Sequence, residues 1–275
     1  MKEKLKDKKI AIGIIVYNPT ANLSKRIDIA LGLGFDLYVL DNTPQKSMLR
    51  DNYQNQDGFH YLTLGKNIGL GIGMSSICAQ AYYEGYSYLI FFDQDTNFSE
   101  DTLKFVVDFY EYNKAVLTAF SIMNFNSKKV DSCNKNSGVN YDISEASLVI
   151  NSGSLINLEA LKNIGWYDVS YFVDGVDYKF CLDSAINKYK IGECGVTPGF
   201  DHVTEQDDIK YKFMGFGFLA RKYSSRRVVD SVLSLFRLMV TSVVNLKWKY
   251  FKIFLRQFII YIMVQTYVRL VPSSN

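Results

Sequence analysis

Four short apolar runs, each stopping at a polar exit, constrain this chain more than any other feature. They read IAIGIIVYN (10–18), FDLYVLDNT (35–43), FHYLTLGKN (59–67) and SYLIFFDQD (87–95). Their β-branched and aromatic character over so few residues predicts strands buried on both faces. Helical segments separate them. Residues 21–33 place Leu23, Ile27, Ala30 and Leu31 on one side, GIGMSSICAQAYYEG (71–85) follows the third run, and Ser99 with Glu100 and Asp101 opens a helix over 100–113. This alternation predicts an α/β fold, a parallel sheet with helices on both faces. Ligands of such sheets sit outside the carboxyl ends of the strands. Three of those ends here read YN, LDN and FDQD.

Behind the fourth run, FFDQDTNFSED (91–101) sets Asp93 and Asp95 one residue apart. Carboxylates so close repel, and one tends to hold a proton. Mn²⁺ or Mg²⁺ removes the conflict and keeps coordination positions open for substrate phosphates. The plainer alternative is a solvated loop whose acids are stabilised by the start of the following helix. A second acidic pair, Asp174 and Asp177, stands in YFVDGVDYKF (171–180). Either acid could act as a base on a hydroxyl, or sit at a helix start. His202, one of two histidines, follows PGFD (198–201) and reads as a metal ligand or an ordinary satisfied histidine. His60 carries no comparable argument.

Asp41, at the second exit, could accept the imide N–H of a pyrimidine base or simply shape the turn before Pro44. Lys66 and Asn67 end the third run, as phosphate or base contacts or as a surface lysine and a helix cap. The glycines at 69, 71 and 73 lack the GxGxxG spacing, and no acid about twenty residues on ends a second strand, which argues against a nicotinamide cofactor.

The 275 residues are 48% apolar, ample for one domain of about 200 residues and an appendage, and wholesale disorder is not expected. Cys78, Cys133, Cys181 and Cys194 make neither a CxxC pair nor a zinc spacing and read as reduced core thiols of a cytosolic protein. No apolar signal segment follows MKEKLKDKK, so secretion by that route is not expected. The net charge of +3 hides an asymmetry. Residues 219–275 hold ten Lys or Arg and one acid, while the remainder holds 21 basic and 27 acidic side chains. Among those cations stand Trp248, Tyr250, Phe251 and Phe254, a mixture expected of helices lying on an anionic membrane surface. The longest uncharged run there, 257–268, has 12 residues, short of a bilayer span. A helical cap or a homodimerisation element is the alternative. Nucleic acid is not expected as a partner, because the body is acidic.

Taken in order, IVYN (15–18), LDNT (40–43), GKNIGLGIG (65–73), FFDQDT (91–96) and NSGSLINLEALKNIGWYDVSYFVDGVDYKFCLDSAINKYKIG (151–192) resemble the successive motifs of the GT-A-fold glycosyltransferases of family 2, specifically their bacterial rhamnosyltransferase-like branch. The resemblance covers about residues 8–210. It implies a GT-A (Rossmann-like) mostly parallel sheet over 1–218, with a donor half at about 8–120, an acceptor half at about 121–218, and a basic amphipathic helical tail over 219–275. The implied activity is inverting transfer of a sugar, rhamnose first, from dTDP-rhamnose or a UDP-sugar to a hydroxyl of a lipid-linked cell-surface glycan, at the cytoplasmic face of the bacterial membrane. Tyr17, Asn18, Asp41, Lys66, Asn67 and Asp93 would contact the donor. Asp93, Asp95 and His202 would hold Mn²⁺ or Mg²⁺. Asp174 or Asp177 would be the base, with Asp174 slightly favoured. Two departures stand out: Gly175 where many relatives carry a second acid, and Asp183 where they often carry Arg. A nucleotidyltransferase is the rival enzyme, although YNPTANLSKR (17–26) has no glycine and only Lys25 and Arg26 for the loop it would need. A catalytically silent, membrane-associated scaffold is the other rival.

Overall fold

The computed structural model describes residues 9–20, 22–45, 48–125, 141–195, 200–202, 209–213 and 216–271. The chain divides into two compact units, residues 1–172 with 176–203 and residues 173–175 with 204–275. In the first, β1 (Ile10–Val16), α1 (Asn22–Gly32), β2 (Leu37–Asp41), α2 (Met48–Tyr53), β3 (Phe59–Thr63), α3 (Gly69–Tyr83) and β4 (Tyr88–Asp93) follow one another. Then come β5 (Thr96–Asn97), α4 (Glu100–Leu117), β6 (Phe120–Asn124), β7 (Ser144–Glu145), β8 (Ser154–Asn157), α5 (Leu158–Ile164), α6 (Val176–Ile186), β9 (Lys190–Glu193) and β10 (Asp201–His202).

Eight of these strands form one sheet in the order β3-β2-β1-β4-β8-β6-β9-β7. β1 to β4 are parallel, as are β6 and β9, while β8 and β7 run against their neighbours. The mostly parallel α/β sheet expected from the apolar runs is therefore present. β2 is buried throughout, and β1 and β4 are buried at all but one position each, which is why their sequences are apolar on both faces. β3, at the sheet's edge, is only half-buried. Helix α4 begins where Ser99 and Thr102 cap each other reciprocally, the Thr102 N–H donating to Ser99 Oγ at 3.2 Å. α2 escapes a periodicity reading because its six residues are anchored only by Leu49 and Tyr53. The third strand stops at Thr63 rather than reaching Asn67, because Gly65 turns the chain with a φ of 64°.

The second unit contains the antiparallel hairpin β11 (Ile209–Phe213) and β12 (Phe216–Ala220), then α7 (Ser225–Val244) and α8 (Trp248–Leu270). Ser224 caps α7 by accepting from the Arg227 N–H at 3.3 Å. The two helices pack on each other across a short connection. At the far end of α8, Val268 joins Tyr211 and Ala220 in a small apolar cluster. Buried Gln265 accepts from the Tyr223 N–H and donates to the Arg221 carbonyl, and Arg269 donates to Gln265 and to the Tyr223 carbonyl. With 23 residues, about 34 Å, α8 is long and apolar enough to cross a membrane, although its longest uncharged run is not. Length alone does not decide the matter, since the Gln265–Arg269 network ties the helix to polar backbone groups.

Candidate functional site

The parallel sheet brings the carboxyl ends of β1, β2 and β4 to one edge, and their polar exits hold each other. Gln94, the residue between the two aspartates, accepts from the Tyr17 N–H at 2.8 Å and donates to the Tyr17 carbonyl at 3.1 Å. The Asn18 N–H, at a residue with a φ of 48°, donates to Thr43 Oγ1 at 2.9 Å. Asn42 accepts from the Ile68 N–H and donates to the Gly69 carbonyl, joining the β2 exit to the start of α3. Tyr17, Asn18, Asp41 and Asp93, far apart in sequence, are thus placed around one edge, with the Tyr17 ring half exposed.

Asp41 is fully buried. Its Oδ1 accepts from the Thr43 N–H at 2.8 Å and its Oδ2 from the Tyr61 hydroxyl at 2.7 Å. The turn-forming reading therefore describes its contacts, and a base would have to share an oxygen already in use. Lys66 and Asn67 lie on the loop between β3 and α3, both exposed, and Asn67 Oδ1 accepts from the Gly69 N–H at 2.9 Å in a local turn just before the helix, whose N-cap is Ile68. The nearby glycines have a packing role. A Cβ at Gly71 would lie 2.6 Å from the Tyr171 carbonyl oxygen and 2.7 Å from that of Asp168; one at Gly69, where φ is 81°, would strike Phe172. The bare backbone lets α3 press against residues 168–172. Gly71→Ala should therefore destabilise the protein by about 1–3 kcal/mol in urea unfolding, because carbonyls cannot rotate away as a side chain can. Gly32→Ala, with open space around its Cβ, is the control expected to be neutral or mildly stabilising.

The Asp93–Asp95 turn is held from two sides. On one, Ser152 Oγ accepts from the Asp93 N–H at 3.1 Å and shares a 2.6 Å hydrogen bond with Thr96 Oγ1; both residues are buried. On the other, Arg26 of α1 reaches the turn. Its Nη1 donates to Asn97 Oδ1 at 2.9 Å and its Nη2 to the Gln94 carbonyl. Burial pulls the Arg26 guanidinium below its usual range, and the negative charge of Asp95 opposes that pull. β5 then pairs antiparallel with β10, so that His202 stands opposite Thr96, one residue beyond Asp95. The side chain of His202 lies outside the described residues. Among the described residues, no three His, Cys, Asp or Glu side chains come together to hold a metal ion. Two carboxylates with an imidazole supplied across β10 would nonetheless be a donor set suited to Mn²⁺ or Mg²⁺ with positions left open.

Asp177 lies in the first turn of α6. Its charge acts on the buried Tyr167 phenol, which desolvation above all, then Cys78, Asp177 and Cys181, hold well above the ordinary tyrosine range. Tyr167 in turn donates to Asn151 Oδ1 at 3.0 Å. Asp174 belongs to the second unit, where it accepts from the Ser231 hydroxyl and from Arg227 Nη2 at 3.4 Å. Asp183, the departure from the expected Arg, is gripped by Lys179 at 2.5 Å, with Asp168 a further 3.5 Å from the same ammonium. Lys179 and Asp183 thus neutralise each other locally. Cys78, Cys181 and Cys194 are buried, and burial raises all three thiols, Cys194 to about 11 and Cys181 to about 12, so they act as core side chains rather than nucleophiles. Cys133 lies outside the described residues. Sequence reasoning missed Arg26 and Ser152; a basic residue on an otherwise apolar helical stripe was the available signal for the first.

The geometry accords with comparisons to known proteins. The chain is 26% identical over 180 residues to the dTDP-rhamnosyl transferase RfbF of Shigella flexneri, covering 62% of this chain and 60% of that one. Its fold is similar to the crystal structure of S. aureus TarS 1–349 in complex with UDP-GlcNAc, at a TM-score of 0.57 and 13% identity over 85% of this chain and 65% of that one. It is similar also to the structure of GalNAc-T7 with UDP, GalNAc and Mn²⁺, at a TM-score of 0.56 and 12% identity over 82% of this chain and 47% of that one. These likenesses show the GT-A fold expected from the motif order. The chain spans about 60% of the length of the curated relative it matches. Residues 11–150, which carry the β1, β2 and β4 exits and both aspartates of the turn, match the family described as Glycosyl transferase family 2. The strand exits and that match lead to one conclusion: the chain belongs to glycosyl transferase family 2.

Proposed function

We propose that this chain transfers a sugar, rhamnose first among the candidates, from a nucleoside-diphosphate donor to a hydroxyl of a lipid-linked glycan, with inversion at the sugar carbon. The observation that carries the reading is the convergence of the β1, β2 and β4 exits on the Asp93–Asp95 turn. The naming of the curated relative supports dTDP-rhamnose, and the UDP-GlcNAc complex of a fold neighbour keeps UDP-sugars in the panel. Tyr17, Asn18, Asp41 and Asn67 would line the nucleoside side and Lys66 the diphosphate. Asp93, Asp95 and His202 would hold Mn²⁺ or Mg²⁺, which when bound offsets charge on the departing diphosphate. Asp177 is assigned as the base, since the oxygens of Asp174 already accept from Ser231 and Arg227. It takes the proton of the acceptor hydroxyl as that oxygen bonds to the sugar carbon. The bond from carbon to diphosphate oxygen breaks on the opposite face as the new bond forms, and its electron pair leaves with the diphosphate. Thermal stabilisation and donor hydrolysis with dTDP-rhamnose, UDP-glucose and UDP-galactofuranose, each with MnCl₂ or EDTA, test this reading. Stabilisation by none of them would end it, and nucleoside triphosphates acting instead would favour the nucleotidyltransferase.

The tail is assigned to the cytoplasmic face of an anionic membrane, as a peripheral attachment. α7 exposes Val229, Leu233, Phe236, Val240 and Val244 at helical spacing, and α8 exposes Trp248, Leu255, Ile259 and Met263. Lys249, Lys252 and Arg256 are exposed near the start of α8. Crossing a bilayer would place the Gln265–Arg269 network in hydrocarbon, which favours a helix lying at the interface. Each cation near an anionic surface contributes about 1 kcal/mol, so replacing those three with Glu should weaken binding to phosphatidylglycerol vesicles by about 100-fold or more, and high salt should weaken the wild type similarly. Unchanged vesicle binding with a change in oligomeric mass would instead make the tail a dimerisation element.

A further inference from the structure

The arginine beside the Asp-x-Asp turn is in an unusual place for its chemistry. α1 buries Leu23, Ile27 and Ala30, the stripe expected of a helix packed on a sheet, and Arg26 is buried with them. A guanidinium in that position costs desolvation that only charge pairing and hydrogen bonds offset. Its two terminal nitrogens reach the turn on either side of Asp95, at the Gln94 carbonyl and the Asn97 side chain. Its Nε is buried without a hydrogen-bond partner among the described residues. A lysine could supply the charge at that depth but not the planar two-armed reach. The turn is held on its other flank by Ser152 and by the grip of Gln94 on Tyr17.

We propose that Arg26 is a positioning residue that clamps residues 94–97 and thereby fixes where Asp95 presents its carboxylate. Such a clamp lets two aspartates stand one residue apart before any cation arrives, because the buried guanidinium supplies the first positive charge. It also orders the turn in advance, so that ligand binding need not fix the backbone. The proposal rests on the metal reading of the Asp93–Asp95 pair only for its consequence in cation binding.

Two opposed effects make the inference testable. A nearby positive charge acting by field alone repels a divalent ion, so its removal would tighten metal binding. A clamp that sets ligand geometry does the reverse. The full-length Arg26→Lys, Arg26→Gln and Asn97→Ala variants are compared with wild type. Asn97 is exposed, so its variant keeps the buried charge and the fold while removing one acceptor of the clamp. Amide hydrogen exchange of the segment around 94–97 should accelerate about tenfold or more in each variant that melts as a folded protein, with the rest of the sheet unchanged. MnCl₂ titration should show affinity lowered about 10- to 100-fold in Arg26→Lys, which retains charge, and in Arg26→Gln, which does not. Unchanged exchange at 94–97 in Arg26→Lys and Asn97→Ala overturns the clamp, and so does tighter Mn²⁺ binding by Arg26→Gln. Wild-type protein that binds no Mn²⁺ ends the metal reading of the site, while the exchange measurement still decides the clamp.

Discussion

Asp95→Ala should abolish cation-dependent sugar transfer while leaving the protein folded. With Asp93 and Asp95 holding the ion as proposed, the loss of one carboxylate would remove an interaction on which several kcal/mol of leaving-group stabilisation depend, so turnover should fall by about 10²- to 10³-fold. Stability should suffer less. Arg26 would lose the charge of Asp95 but keep its bonds to the Gln94 carbonyl and to Asn97, and the Asp93 amide would keep Ser152. The measurement is initial rate against MnCl₂ concentration for wild type and variant, with a melting curve for each and an EDTA control. Full transfer in EDTA, or by the variant, would remove the metal from the mechanism. It would leave the sheet-edge donor site standing.

Asp177→Asn and Asp174→Asn should separate base from support. The amide at 177 cannot take a proton, so turnover should fall about 10²-fold or more with donor and Mn²⁺ affinity retained. At 174 the lost charge is the one paired with Arg227 and bonded to Ser231, so the expected result is a modest change in turnover and a loosened contact with α7. Near-normal turnover of Asp177→Asn with a collapsed Asp174→Asn reverses the assignment. Normal transfer by both would falsify the proposed mechanism.

The strands β1, β2 and β4 and their exits were legible because each is buried on both faces and must be apolar until it leaves the sheet. That alone placed Asp41 and Asp93 correctly at strand ends. At the edge, β3 is half-buried and ends before its expected exit. β6, β8 and β9, of four or five residues each, were not assigned, since their runs are too short to separate from helix or loop without knowing their neighbours. Local pattern does not choose between Asp174 and Asp177, because it carries no information about Ser231, 57 residues from Asp174. The spacing of the glycines at 69, 71 and 73 does not show that Gly69 and Gly71 make room for residues 168–172, which only packing reveals.

By itself, the sequence determined the α/β class, the edge of the sheet at which the polar exits gather, and the family, because periodicity, exit residues and motif order are all local properties of a chain. The tertiary structure alone decided what the local residues touch. Arg26 meets its acceptors across separations of 68 and 71 residues, and Ser152 meets Asp93 across 59. Such contacts exist only once the strands have chosen their order. The cost of burying a charge or a hydroxyl is met by partners that packing supplies, and no spacing rule along the chain can name them.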